Sequence, residues 1–316
     1  MSLLVEALQP HIAPSLVGFS TLPECGFEQA LERPYALRVE ATGTSLHLDY
    51  RDPQLTGEVF ATDASRLASA AFQTILTVER DGDEADLLAW RLIRLYYSAF
   101  YAAHALLRYL GRAYVYLPAR LSRSISDMAP IYGVSLPFAL TAGQYEAVLA
   151  SGTIQLIQPP ATRPTPHEGF WRVFGLEVGR LGSEILNGPL PSREAQSATG
   201  KLVELRAILN RTSGADNWLC FVRNELQYRH RMGVWFPLRP RRAACEDIDR
   251  RLLRWNRDPM LLLSGERSDI GDFVSACVFL LALCRGTTIR IEDRSPARRS
   301  FVAFGPLRLL REAGRA

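Results

Sequence analysis

The sequence predicts a mainly α-helical protein with an insertion and small β elements at both ends. Three stretches carry that expectation. "DLLAWRLIRLYYSAFYAAHALLRYLG" (Asp86–Gly111) holds a broad apolar stripe, from Leu88, Leu92, Leu95 and Tyr96 to Leu106, Leu107 and Leu110, at the helical period. Asp269–Arg285 encloses the apolar run "FVSACVFLLALC". "YALRVEATGTSLHLDY" (Tyr35–Tyr50) alternates with period two about "ATGT", which reads as a hairpin. With 316 residues, 47% hydrophobic and 22% charged, the chain has enough apolar content for a sizeable core.

In chain order, the hairpin is followed by "DPQLTG", read as a breaker, and by a helix over Ala64–Glu79. "DGDEAD" then supplies start signals for the central helix, and Gly111 suits a C′ position, where a left-handed residue ends a helix. Periodicity weakens between Arg112 and Pro166, which reads as an insertion with short elements, among them a helix over Gln144–Ala150. "QPPATRPTPHEG" cannot continue a helix, so His167 is expected in a loop. Helical pattern returns in "GFWRVFGLEVGRLGSEILNG", breaks at "GPLPSREAQSATG", and resumes in "KLVELRAILNRT" and "ADNWLCFVRNELQYRHRM". A mixed-charge helix, "RPRRAACEDIDRRLLRWNRD", precedes the apolar one, and "TTIRIEDR" and "RSFVAFG" read as strands. The organisation is thus an N-terminal β-containing segment (1–63), a helical domain (64–285) with an insertion at about 112–166, and a strand-containing tail (286–316).

Charge is uneven. From Arg223 onward there are 19 Arg against 11 Asp and Glu, whereas residues 1–222 carry 18 basic and 22 acidic groups. Lys201 is the one lysine, so the cationic surface is arginine, whose planar fork suits bidentate phosphate contacts. The five cysteines form no CxxC pair and read as buried free thiols; no metal site or cofactor is expected. The apolar run is too short for a membrane span and the N-terminus lacks a signal-peptide pattern, so a cytoplasmic protein without membrane association is expected. GxxxxGK[ST], GxSxG, HExxH and a strand-borne GxGxxG are all missing from the sequence.

The chemical signal lies in "WLCFVRNELQYRHRMGVW". On a continuous helix Arg223 and His230 fall 20° short of two full turns apart, so they share a face with about 10.5 Å between them along the axis. A guanidinium that stays charged and an imidazole that titrates near neutrality suit phosphate chemistry. Such a spacing arises by chance roughly 1.7 times in a chain of this composition, so its weight comes from context. Asn224 follows Arg223, and a tyrosine- and alanine-rich helix lies upstream. His104, inside that helix, reads as a structural histidine; Tyr97 and Tyr101, one turn apart, read as core residues with polar tips. Within the mixed-charge helix Glu246, Asp247 and Asp249 interrupt the arginines, which favours internal ion pairs over DNA binding.

"RLYYSAFYAAHALLRYLG" (Arg94–Gly111) and "RNELQYRH" (Arg223–His230) together resemble the HEPN superfamily, compact helical domains many of which are ribonucleases of bacterial toxin and antiviral systems. The resemblance spans about residues 64–111 and 167–285; the long gap between the two stretches also resembles larger YaaC-like bacterial proteins. It implies an HEPN-like helical bundle and a metal-independent endoribonuclease of an antiviral-defence or toxin–antitoxin system, with Arg223, Asn224 and His230 as catalytic residues. Arg229, Arg231, Arg239, Arg241 and Arg242 are the expected RNA contacts. It also implies a homodimer, or a heterodimer with a second HEPN-like chain, with Trp218, Phe221, Val222 and Leu226 offered to the partner. An antitoxin or defence-system protein is a further expected partner. The alternative is a non-catalytic HEPN-like scaffold or regulatory subunit that binds a partner protein or a nucleotide.

Overall fold

The computed structural model describes residues 2–17, 19, 26–33, 35–39, 44–80, 88–150, 152–160, 164–211, 215–235, 237, 242–263, 268–295 and 300–316. Over these the chain is mainly helical and carries one five-stranded antiparallel sheet. Three short helices, α1 (Leu3–Leu8), α2 (Pro14–Val17) and α3 (Phe27–Ala30), precede the hairpin β1 (Tyr35–Val39) and β2 (Ser45–Tyr50). The helical core is α4 (Pro53–Arg80), α5 (Leu88–Tyr109) and α11 (Asp269–Arg294). Small residues allow α4 and α5 to pack closely: Ala64, Ala68 and Ala71 on one, Ala99, Ala102 and Ala103 on the other, all fully buried. The Ser98 hydroxyl donates to the Ala71 carbonyl at 2.7 Å across this seam, and the Tyr109 and Thr288 hydroxyls meet at 2.9 Å between α5 and α11. Between α5 and α11 come β3 (Arg112–Leu117), α6 (Ala119–Met128), β4 (Gly143–Ala150), β5 (Thr153–Ile157), α7 (Pro166–Leu186), α8 (Ser192–Leu209), α9 (Trp218–Gln227) and α10 (Arg242–Leu252); α12 (Pro306–Glu312) ends the chain's helices.

The expected hairpin is present, and Gly111 takes a left-handed φ of +73° at the end of α5. Other elements differ from the sequence reading, each for a local reason. Pro53 opens α4, because Asp52 caps it by accepting the Gln54 N–H at 2.9 Å; "DPQLTG" starts a helix instead of breaking one. Ser192 likewise begins α8 well before Lys201. Residues 144–150 are not a helix but strand β4, with Tyr145 and Ala147 buried on one face and partners on both sides. Here sheet pairing overrides helical propensity. Residues 287–294 are not a strand: Thr287, Thr288, Ile291 and Glu292 bury at helical spacing, and the two threonine hydroxyls bond back to the carbonyls of Leu283 and Cys284, so α11 runs on to Arg294. Phe301–Gly305 forms turns, so no strand occurs near the C-terminus among the described residues. With 26 residues α11 is long and apolar enough to cross a membrane, yet most of it is enclosed by the other helices.

The sheet order β1-β2-β5-β4-β3 joins the hairpin to the insertion. β2 pairs with β5 (Leu46 opposite Leu156), β5 with β4, and β4 with β3, so segments more than 60 positions apart build one sheet against the helical core.

Candidate functional site at the end of α9

α9 packs against α5 and places Arg223 on the tyrosine-rich helix. The Arg223 guanidinium lies 5.3 Å from the Tyr96 ring, 5.8 Å from Tyr97 and 5.6 Å from Tyr228, and its Nη1 donates to the Tyr228 hydroxyl at 3.3 Å. Only 5% exposed, it is held as a cation: burial pulls its pKa down, but Tyr96, Tyr97 and Cys220 outweigh that and leave it raised. Tyr228 covers it and is itself 67% exposed. Asn224 sits beside it and reaches the Cys220 sulfur at 3.9 Å.

His230 does not share a helix face with Arg223. The helix ends at Gln227, and His230 adopts φ +51°, a left-handed conformation; Met232 (+72°) and Gly233 (+64°) follow suit. This turn is fixed by the Arg231 N–H, which donates to the Glu225 carbonyl at 2.9 Å, and by Trp235 Nε1, which donates to the Leu226 carbonyl at 2.8 Å. The exposed His230 ring lies 5.0 Å from Trp235, which meets the half-exposed Trp90 edge-on at 5.7 Å. The sequence reading missed Trp90 and Trp235, since nothing local joins positions so far apart in the chain.

Arg229 and Arg231 both ion-pair with the buried Glu225, at 2.5 and 3.2 Å, so these two expected RNA contacts bring one net positive charge rather than two. Arg242 opens α10; Arg239 and Arg241 lie outside the described residues. Along α10, Arg250 and Arg251 pair with Asp247, the internal pairing expected of that helix, whereas Asp249 pairs outside it with the buried Arg91 of α5 at 2.6 Å. Of the four apolar residues expected at a dimer contact, Trp218, Val222 and Leu226 are spent on the core; Phe221 is 38% exposed.

Behind Arg223 a polar relay runs inward. The Tyr96 hydroxyl meets His167 Nδ1 at 2.9 Å and accepts from Trp171 Nε1 at 3.0 Å. His167 is not in a loop: it stands in the first turn of α7, started by a capping box in which Glu168 accepts from the N–H and hydroxyl of Thr165. That T-x-x-E signature is present in the sequence and could have located it. Burial, and then the charge of Arg223, lower the His167 pKa to about 4, so its ring is neutral at pH 7. His104 is a structural histidine as expected, stacked on Phe170 with ring centroids 3.6 Å apart.

The α9 terminus therefore offers one fixed cation beneath a tyrosine, one exposed imidazole and a pair of tryptophans beside two arginines. Such an arrangement suits stacked bases and a phosphate backbone. Compared with protein-family profiles, curated proteins and solved structures, the chain shows no significant match.

Proposed function

We propose that this protein is a metal-independent endoribonuclease of HEPN type, acting in a bacterial antiviral-defence or toxin–antitoxin system, with RNA bound at the end of α9. The observation that supports it most is that the end of α9 carries an Arg223 cation covered by the exposed Tyr228 and, three residues past the helix, an exposed His230 imidazole against the Trp90–Trp235 pair. Bases stack on the exposed rings, and Tyr228 swings aside to admit a phosphate to Arg223. His230 takes the proton of the ribose 2′-OH, whose oxygen forms a bond to phosphorus; the bond from phosphorus to the 5′-oxygen breaks, and that oxygen receives a proton. Arg223 offsets the charge that builds on the phosphorane. The products carry a 2′,3′-cyclic phosphate and a 5′-OH.

One histidine per chain serves one proton transfer well, so a second copy, docked through Phe221 and Tyr228, supplies the other. Phe221 stands on α9 and Tyr228 at its C-cap, seven positions apart, and both reach solvent. Light scattering of the wild type and of Phe221→Arg tests the pairing: a dimer that the substitution dissociates supports it, and a monomeric, active wild type removes it.

The scaffold reading also has an observation in its favour. Glu225 neutralises much of the Arg229/Arg231 charge and Tyr228 covers Arg223, an arrangement that serves a static interface. Incubating the protein and its His230→Asn variant with a mixed RNA pool separates the two. Cyclic-phosphate products from the wild type alone support the nuclease; no cleavage by either selects the scaffold.

A further inference from the structure

Where α5 meets the sheet, an open cleft of about 550 Å³ is lined by Asp63, Arg66, His104, Arg108, Tyr116 and Gln144 among others. Arg108 is 5% exposed, yet its charge is poorly matched. Its Nη1 donates to His104 Nδ1 at 2.9 Å, its Nη2 stands 3.9 Å from the Asp63 carboxylate, and its buried Nε has no hydrogen-bond partner. A buried guanidinium with only a distant carboxylate carries an unrecovered desolvation cost, which an anion in the cleft would offset. Burial lowers the Arg108 pKa and Asp63 opposes that; it remains charged at any physiological pH.

Two further donors face the same space. Arg66 is exposed at the cleft and, like Arg108, acts on Asp63. Gly26 lets it approach: a Cβ there would stand 3.1 Å from Arg66 Nη1 and 3.3 Å from Asp63 Oδ1. Because His104 Nδ1 accepts from Arg108, the neutral ring carries its proton on Nε2, and burial keeps the ring neutral. Two guanidiniums and an imidazole N–H match a tetrahedral oxyanion better than a planar carboxylate. On the other side of Tyr114, Tyr116, Gln144 and Pro166, which line both spaces, lies a second pocket of about 270 Å³ walled by Pro159, Pro160 and Val173. The two compartments together have the size and the polarity split of a small-ligand site.

We propose that this two-part cleft binds a small phosphomonoester with an aromatic body, its phosphate on Arg108 and Arg66 with His104 donating, its ring against Tyr116 in the apolar pocket. The cleft shares His167 with the relay behind Arg223, but ligand binding on Arg108 and Arg66 does not depend on RNA cleavage at the end of α9.

Calorimetric titration with phenyl phosphate, inorganic phosphate, benzoate and phenol tests it. Phenyl phosphate should bind best of the four. Arg66→Ala, at an exposed position, should weaken phenyl phosphate about tenfold or more and leave the weak phenol signal unchanged. Tyr116→Ala, at a side chain 56% exposed, should bring phenyl phosphate down to the level of inorganic phosphate without altering the latter. Failure of phenyl phosphate to bind, equal or tighter binding of benzoate, or binding indifferent to both substitutions overturns the proposal. Both variants replace exposed side chains, and circular dichroism is the check that they fold.

Discussion

His230 is the residue on which the nuclease reading is tested most cleanly, and the structure explains why Arg223 is not. Arg223 is buried against three tyrosine rings and donates to Tyr228 and Gln227. At about 0.5–1 kcal/mol for each ring contact and about 1 for the hydrogen bonds, Arg223→Ala should cost roughly 3 kcal/mol of stability. A chain of this length has an unfolding entropy near 0.66 kcal/mol/K by the per-residue average, so Tm should fall by about 4–5 °C. Lost activity in that variant would mix chemistry with unfolding. His230 is exposed, and its backbone, at φ +51°, dictates which replacement is neutral. Alanine would add strain, since an ordinary L-residue in the left-handed region costs about 1–2 kcal/mol, whereas asparagine adopts it readily. His230→Asn loses only the edge of a ring contact with Trp235, so Tm should move by about 1 °C. If His230 transfers the proton, cleavage of a fluorogenic RNA at fixed temperature should drop about 10²–10⁴-fold. Activity within threefold of wild type at unchanged Tm would refute the role assigned to His230, and with it the reading that this imidazole is the acid–base group.

Three other outcomes follow from the packing and titration of the same regions. Gly200→Ala, in the interior of α8 with nothing within 4 Å of its added Cβ, should raise stability by about 0.5–1 kcal/mol, while Gly175→Ala, whose Cβ would stand 2.5 Å from Asp216, should lower it; thermal melts of the two should move in opposite directions. His167 has its pKa lowered to about 4 in the fold against about 6.5 when unfolded, so the unfolded chain binds the extra proton between those values and stability falls as pH drops through them, by an amount that solvent screening of this half-buried ring reduces. His104 acts in the same sense, while Asp63, held above its usual range by burial, acts in the opposite one; urea midpoints at pH 7 and pH 5 for wild type and His167→Gln isolate the His167 share as a flatter profile in the variant. Any RNase activity should survive EDTA, because RNA supplies its own nucleophile and among the described residues no three His, Cys, Asp or Glu side chains gather around one point; loss with EDTA and rescue by magnesium would overturn the mechanism.

What the sequence made legible divides along the range of the interactions involved. The stripe of α5 and the glycine that ends it are local patterns, and both stand in the structure as read. The capping of α4 by Asp52 and of α7 by Thr165 and Glu168 is equally local, but Pro53 and Pro166 look like breaks in the pattern, whereas each opens a helix. Strand β4 was beyond local reading, because "QYEAVLA" suits a helix and becomes a strand only between β3 and β5. The site shows the same division. Arg223 meets the tyrosine helix at Tyr96 and Tyr97, a contact between distant stretches that neither shows by itself.

A shared face for Arg223 and His230 requires a helix that the chain leaves at Gln227. Three residues of left-handed backbone then carry the imidazole to Trp235, away from the face it would have shared with the arginine. The meaning of an Arg-x(6)-His spacing thus rests on where the helix stops, and Gly233, six residues past Gln227, was the available sign that it stops early. Two side chains separated by such a turn are not held by helix geometry at all. They are held by the Glu225 bonds to Arg229 and Arg231 and by the Trp235 bond to Leu226. Glu225 is therefore the side chain whose loss should disorder the turn while leaving α9 packed: Glu225→Gln should cost little global stability relative to Arg223→Ala, yet uncouple His230 from Trp235. Trp235 fluorescence quenching reads this directly, and a Glu225→Gln protein with wild-type fluorescence and wild-type RNA cleavage would show that the turn is fixed by its backbone alone.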